Sequence, residues 1–423
     1  MKISKIKNKI SKGKIELFFL VVILIAHLFL RFYQFEQRNP FGWDQVDNAW
    51  AAKNIIIDHK FPLLGMQAKL NSGIYVGPFY YYLVSIFYFF SNLDPIASGI
   101  LAGVTTIFSF FTLFHLAKKM FSQNIALMAV FINAFSSFGI SFDRIQWPVA
   151  FIPALSLIIF FSLYKILTGF SKYILALAIA LGLAFNIHFT AVFFLPIILL
   201  SLPFFPRTKG TLRYILIGLP LFFLWLVPIF IFLFQNYHGN FGAFHYGQTY
   251  YHGLHLKRIM QLAGDSFIQI EKFLTFRVLY PLKFIIIPFF VFSYLHKSVS
   301  REKLIFVYLV VLWFLVPWVV LSTYSGEISD YYFAINSFVG LLAISYLLVR
   351  VFEFRKGILI VPVSLLLVLF SFFNIQNFFT LHQANLYEKR QKVEKAVRER
   401  RKIEFTEGVP ESYLYYIYTR NKK

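Results

Sequence analysis

Eleven apolar runs separated by short polar links dominate the chain, at 15–33, 96–117, 124–140, 149–167, 173–188, 190–204, 214–234, 280–296, 304–322, 331–349 and 358–375. A helix that crosses lipid needs about 20 mostly apolar residues, because its backbone amides must pair within the segment. The pattern predicts an all-α polytopic membrane protein with about 11 transmembrane helices. With the N-terminus inside, the cytoplasmic links carry Lys2, Lys5, Lys7, Lys9, Lys12 and Lys14, then Lys118 and Lys119, Lys165 and Lys172, Arg207, Lys209 and Arg213, Lys297, Arg301 and Lys303, and finally Arg350, Arg355 and Lys356. Basic residues are retained on the inner face, so this alternation sets the orientation. The aromatic run 74–90 is long enough to be taken for a further span, but counting it would place Lys118, Lys119, Arg207, Lys209 and Arg213 outside. It is therefore read as a juxtamembrane or re-entrant helix on the outer side, with Tyr75, Tyr80, Tyr81, Tyr82 and Tyr88 suited to an interface.

This topology predicts a transmembrane unit over 1–375 that includes a long first outer loop, 34–95, and an outer loop at 235–279. A basic tail, 376–423, carries a charged helix from about Gln383 to Lys402 and an aromatic end, Tyr413 to Tyr418. The tail's eleven Lys and Arg argue for the cytoplasm. The odd span count argues for the outside, and the count is followed. The Lys-rich start resembles a signal peptide, but Arg31, Phe32, Tyr33 and Gln34 follow the apolar stretch where small residues would mark cleavage, so it reads as an uncleaved first span.

Composition sharpens the picture. Hydrophobic residues make up 58% of the 423, with 56 Phe and 25 Tyr, more apolar surface than a soluble core could hide. The net charge of +22 lies between apolar runs rather than in a nucleic-acid-binding motif, so no nucleic-acid partner is expected. The absence of cysteine removes disulfides, thiolate metal sites and thiol nucleophiles. There is no Walker loop, no G-x-G-x-x-G after a strand and no G-x-S-x-G, so a transferase built on this chain takes its donor from the membrane.

The scarce acids gather at the outer ends of helices: Asp44, Asp47, Asp58, Asp143, Glu327 and Asp330. Acids outside and bases inside also satisfy topology alone. Asp44, in Phe41-Gly42-Trp43-Asp44-Gln45-Val46-Asp47, is the strongest candidate general base, because partial desolvation raises a carboxyl pKa. Asp47 or Asn48 equally serves as the cap of a helix over Asn48–His59. Arg144 suits a phosphate oxygen, against an ion pair with adjacent Asp143 or snorkelling to headgroups. His188 closes a short span at the same level, where a histidine commonly bonds a neighbouring carbonyl. His238, His245, His252 and His255 lie in an aromatic loop that reads as an interfacial or sugar-stacking surface rather than a metal site.

Several of these segments, in order and spacing over roughly residues 15–345, resemble polytopic glycosyltransferases of the C-type fold, especially the family 39 protein O-mannosyltransferases and the lipid A aminoarabinose transferases. Asp44-Gln45 matches an Asp-Glu pair, with the second acid replaced. Gly77-Pro78-Phe79-Tyr80-Tyr81-Tyr82 resembles the segment opening the juxtamembrane helix, and Ala117-Lys118-Lys119-Met120-Phe121 the basic turn after the second span. Ser141 to Pro148 resembles a Ser-Arg outer segment with two extra residues. Gly182 to His188 is similar to Gly-Leu-Ala-Phe-x-Thr-Lys, with His188 in place of lysine, and Asp330-Tyr331-Tyr332-Phe333 is similar to a His-Tyr segment.

The resemblance implies a multi-pass cell-membrane enzyme with an extracytoplasmic active site. It would transfer a hexosyl or pentosyl unit, with inversion, from a polyprenyl-phosphate donor to a glycan, lipid or protein acceptor. Asp44 would be the base, Arg144 and His188 would hold the donor phosphate, and Asp47, Lys69, Glu327, Asp330 and Tyr331 would bind substrate. Lys69 stands in for a basic residue that relatives carry beside the Pro-containing segment. No cofactor is firmly implied; a divalent cation is compatible with the outer acids. The rival readings are a transporter or lipid flippase, against which no internal repeat is found, and a non-catalytic membrane assembly partner.

Overall fold

The computed structural model describes residues 2–69, 72–236, 241–353, 359–380, 385–404, 406 and 408–420, with backbone alone for 2–12 and 241. The side chains of Lys2 to Lys12, and His238, Arg355 and Lys356, lie outside the described residues. Helices make up nearly all of the regular structure. They run α1 Lys2–Phe32, α2 Trp43–Ile56, α3 Phe79–Phe90, α4 Ile96–Met120, α5 Gln123–Phe135, α6 Ser137–Arg144, α7 Ile152–Leu167, α8 Tyr173–Ile187, α9 Phe194–Ser201 and α10 Lys209–Gln235. There follow α11 Phe241–Tyr250, α12 Leu256–Ala263, α13 Ile268–Glu271, α14 Lys283–Leu295, α15 Arg301–Leu321, α16 Ser337–Glu353, α17 Ile360–Thr380, α18 Leu386–Arg398 and α19 Pro410–Arg420.

Among the described residues, eight helices are long and apolar enough to cross a membrane: Gly13–Phe32, Ile96–Met120, Pro148–Leu167, Lys209–Gln235, Arg277–Leu295, Arg301–Leu321, Asp330–Glu353 and Ile360–Thr380. The pair α5 and α6, bent by 71°, makes a ninth if taken as one span. The expected spans 173–188 and 190–204 correspond to the shorter apolar helices Tyr173–Ile187 and Phe189–Phe204. α3 has 12 residues and reaches about 18 Å, well short of a hydrocarbon core of about 30 Å.

Several polar groups inside these helices are paired across the bundle, which lowers the cost of placing them in a low-dielectric interior. His27 Nε2 lies 2.9 Å from Thr106 Oγ1, joining α1 to α4. Trp313 Nε1 donates to Ser156 Oγ, 2.8 Å, and Ser156 Oγ donates to the Ile335 carbonyl, 2.7 Å, tying α15, α7 and the turn before α16. Arg31 donates to the Asp143 carboxylate and to the carbonyls of Asn133 and Ala134. Close approach of α1 to α4 depends on Gly103, where a Cβ would overlap the Phe32 ring.

The tail folds as a hairpin, α18 against α19, on the first loop. Leu386 N donates to the Asn39 carbonyl (3.0 Å), and Tyr413 O–H to the Leu93 carbonyl (2.9 Å). Arg390 pairs with both Glu36 and Asp94. Glu36 precedes α3 and Asp94 follows it, so one arginine holds both ends of the first loop on a single face. Both ends of α3 and the tail therefore lie together on one side of the bundle.

Candidate active site

α2 begins five residues earlier than the expected Asn48 and ends three earlier than His59. Gly42 is its N-cap; Gln45 Oε1 accepts the Gly42 N–H at 2.8 Å, which starts the helix before Asp44. The expectation of a cap at Asp47 or Asn48 is corrected accordingly. Asp44 sits in the first turn, where free N–H groups favour a carboxylate. Asp47 follows three residues later on the same helical face. Burial first, and the Asp47 charge second, raise the Asp44 carboxyl above its ordinary value. Asp47 itself accepts the Tyr81 hydroxyl of α3 at 2.6 Å.

Three further segments converge beside Asp44. A short hairpin, in which Gly65 N donates to the Val76 carbonyl (2.9 Å) and Ala68 N to the Ile74 carbonyl (2.8 Å), brings up Met66, Gln67 and Ala68. It ends at Gly77, whose N–H donates to the Phe185 carbonyl of α8 and whose missing Cβ leaves room for the Asn186 side chain. That contact sets the hairpin against the end of α8, where the chain turns through His188. The 71° bend between α5 and α6, capped by Ser136 Oγ accepting from Gly139 N, delivers the link 145–148. Gln45 Nε2 donates to the Gln146 carbonyl at 2.7 Å and Gln146 Nε2 to the Tyr80 hydroxyl at 2.8 Å, locking α2, α3 and this link together.

The result is a cavity of about 150 Å³ whose walls include Asp44, Gln67, Trp147, His188 and Tyr331. His188 Nδ1 lies 2.9 Å from Thr190 Oγ1 and also accepts the Thr190 N–H, so Thr190 occupies Nδ1 and Nε2 remains for a ligand. The Tyr331 ring packs edge-on against both Trp147 (5.5 Å) and His188 (5.8 Å). Trp147 Nε1 is buried without a partner among the described residues, a donor left for a ligand. A smaller adjoining cavity shares Ala68 and Phe189 and adds Lys69, Tyr246, Tyr251, Tyr324 and Tyr332. Lys69 Nζ donates to the Glu327 carbonyl (3.0 Å) and lies 5.7 Å from the Tyr332 ring.

The sequence candidates thus divide. Asp44, His188 and Tyr331 line one cavity, with Asp47 behind Asp44 and Lys69 next door. Asp330 is taken by Lys272, and Glu327 is exposed. Arg144 lies elsewhere: its Nη1 donates to the Leu30 and Arg31 carbonyls, and it lines a different cavity. Asp143 pairs with Arg31 rather than with its neighbour Arg144. Trp147, Gln146 and Gln45 were not singled out from the sequence; Trp147 beside Pro148 at the end of a polar link was the available signal. His245, His252 and His255 are exposed, and among the described residues no three His, Asp or Glu side chains converge as a metal site would require.

No protein-family model and no curated protein sequence matches the chain. Solved structures do. ArnT from Cupriavidus metallidurans in the apo state superposes with a TM-score of 0.55 at 13% identity over 80% of this chain and 60% of that one. The same protein bound to undecaprenyl phosphate gives 0.54 at 11%, covering 94% and 74%. The archaeal oligosaccharyltransferase AglB from Archaeoglobus fulgidus, in complex with an inhibitory peptide and a dolichol-phosphate, gives 0.55 at 12%, covering 92% of this chain and 58% of its own. This chain thus spans about three fifths of the apo ArnT and AglB chains. At such identities the likeness concerns architecture, and the architecture is that of the C-type glycosyltransferase fold.

Proposed function

We propose that the chain is a membrane glycosyltransferase that moves a sugar from a polyprenyl-phosphate donor to an extracytoplasmic acceptor with inversion at the anomeric carbon. The observation that carries this reading is one cavity holding a carboxyl of raised pKa, Asp44, together with a histidine Nε2 and an unpartnered indole N–H. The solved neighbours bound to undecaprenyl phosphate and to dolichol-phosphate support a lipid-linked donor.

In this mechanism the acceptor hydroxyl attacks the anomeric carbon as Asp44 takes its proton. The bond from that carbon to the phosphate oxygen breaks, and the polyprenyl phosphate leaves with the electron pair. His188 Nε2–H and Trp147 Nε1–H donate to oxygens of the departing phosphate or the sugar, where negative charge grows. Tyr331 offers a ring face to the sugar. An eleven-span topology with the N-terminus inside would put this cavity on the outer face, the one enriched in acids. Mass spectrometry of lipid-linked sugars and envelope glycans, with and without the gene, tests the reading. Loss of the gene should accumulate one polyprenyl-phosphate sugar and remove one glycan modification; unchanged pools of both would refute it.

A further inference from the structure

A larger cavity, about 380 Å³, lies apart from the one beside Asp44. It opens where α1 and α17 end, against the start of α18, and its walls include Gln37, Arg38, Ser141, Arg144, Phe378 and Glu388. Two arginines in this cavity are treated very differently from their neighbour Arg31. The Arg31 guanidinium uses all three of its nitrogens, with Nε and Nη2 on the Asp143 carboxylate, Nη2 also on the Asn133 carbonyl and Nη1 on the Ala134 carbonyl. Arg144 is only 7% exposed, yet Nη1 alone has protein partners, the carbonyls of Leu30 (3.0 Å) and Arg31 (2.6 Å). Its Nε and Nη2 have none among the described residues, and the charges that reach it, Arg38 and Arg31, share its sign. A buried guanidinium with donors left unpaired is costly unless an anion completes it.

Arg38 stands beside it, donating to the carbonyls of Phe378 (2.8 Å) and Phe379 (3.0 Å), while the Phe378 ring lies 4.8 Å from Arg38 and 5.5 Å from Arg144. The fixed carbonyl bonds hold both guanidinium planes in place, so their orientation is set before a ligand arrives. The carboxylate of Glu388 and the amide of Gln37 also line the cavity, suited to hydroxyls beside an anionic group. Outside it, Phe29 and Phe32 on α1 and Phe372 and Phe379 on α17 present exposed rings along two apolar helices. An acyl chain can follow those rings while a headgroup enters the cavity.

We propose that this cavity is a second binding site, for a phosphate-bearing headgroup, with Arg144 and Arg38 as the partners of the phosphate. It takes a lipid of the same leaflet as the Asp44 cavity, and it works independently of the chemistry at Asp44. The segments that wall it, Ser141 to Arg144 and the chain before Pro40, run directly into Trp147 and Asp44, so occupancy also steadies the links that frame the other cavity.

The test uses the full chain purified in detergent and its thermal unfolding in the presence of short-chain phosphatidylglycerol, a neutral diacylglycerol of equal chain length, or inorganic phosphate. Phosphatidylglycerol should raise Tm saturably, and the neutral lipid should not. Arg144→Lys, which keeps charge but loses the planar fork, should weaken the apparent affinity about tenfold. Gln37→Trp fills the cavity from an exposed position that makes no bond of its own, so it should remove the shift while leaving the unliganded Tm unchanged. This variant decides the matter should Arg144→Lys fail to fold. A saturable shift with inorganic phosphate as well identifies a free-phosphate site of the same chemistry. The proposal is overturned if neither phosphate compound shifts Tm, if the neutral lipid is equally effective, or if Gln37→Trp keeps the full shift.

Discussion

Replacing Asp44 by Asn separates catalysis from stability, and the structure gives the sign of each. As a general base Asp44 acts in its ionised form, so the amide should lower kcat by roughly 10²–10⁴-fold, equivalent to about 3–5 kcal/mol in the barrier. Stability should move the other way or not at all. Burial and the Asp47 charge raise the folded-state pKa, so the folded chain holds this proton more tightly than the unfolded chain does. The contribution of Asp44 to stability is therefore greatest below the unfolded value of about 3.9. It declines as pH rises toward the raised folded value and is flat above it. The first-turn position returns part of the cost, about 0.3–1 kcal/mol, which an amide forgoes. At neutral pH the variant should unfold at a temperature equal to or above that of the parent. The assay pairs single-turnover release of polyprenyl phosphate in proteoliposomes with thermal unfolding in the same detergent. A variant that keeps a rate within threefold of the parent removes Asp44 from the mechanism. One that loses both activity and several degrees of Tm gives it a structural role instead.

Further outcomes follow from the same contacts. Asp47→Asn removes the charge that helps hold the Asp44 pKa up, so the acid limb of kcat/KM against pH should move to lower pH; an unmoved limb would sink the coupling. Arg31→Ala leaves the half-buried Asp143 without its partner and should cost about 3–5 kcal/mol in denaturant unfolding, whereas Lys14→Ala, at an exposed position, should cost almost nothing. Gln45→Glu turns a carboxylate toward the Gln146 carbonyl. It should lower stability by about 1–3 kcal/mol, read as a lower Tm. Tyr413→Ala empties a fully buried site in contact with Trp50, Tyr88 and Phe41 and should cost about 3–5 kcal/mol, with the α18–α19 hairpin becoming protease-sensitive first.

Much of the fold was legible because lipid imposes a length on every crossing segment: each expected span falls on a helix or on the bent pair. Asp44 and His188 were legible for a related reason, since a polar group at the end of an apolar run marks the level at which a helix leaves the membrane. Their partners were not. The helix after Asp44 was expected to start at Asn48, which made Asp47 a cap; its actual start at Trp43 sets the two carboxyls three residues apart on one face. Asp143 and Arg144 look like an ion pair on paper, but adjacent residues on α6 point about 100° apart, one toward the Arg31 side chain and the other toward the carbonyls that end α1. Charge alternation says that such groups face outward or inward, and it carries no information on which long-range partner each will meet.

The contact that groups the tail with the first loop is also one the linear pattern could not supply. Arg390 holds Glu36 and Asp94 at once, and Tyr413 donates its hydroxyl to Leu93. The tail and both ends of α3 therefore share a face, which requires an even number of crossings between residues 95 and 385. With the bent pair α5–α6 counted as one crossing, the seven long helices of that stretch become eight crossings, and Tyr173–Ile187 and Phe189–Phe204 keep the number even whether both cross or neither does. Packing accounts for part of the basic charge that sets the tail against an odd span count. Arg390 and Lys392 are matched by acids, and Lys389 donates to the Phe41 carbonyl. Those basic residues thus serve as docking contacts for the loop that carries Asp44, and they do not report the side of the membrane on which the tail resides.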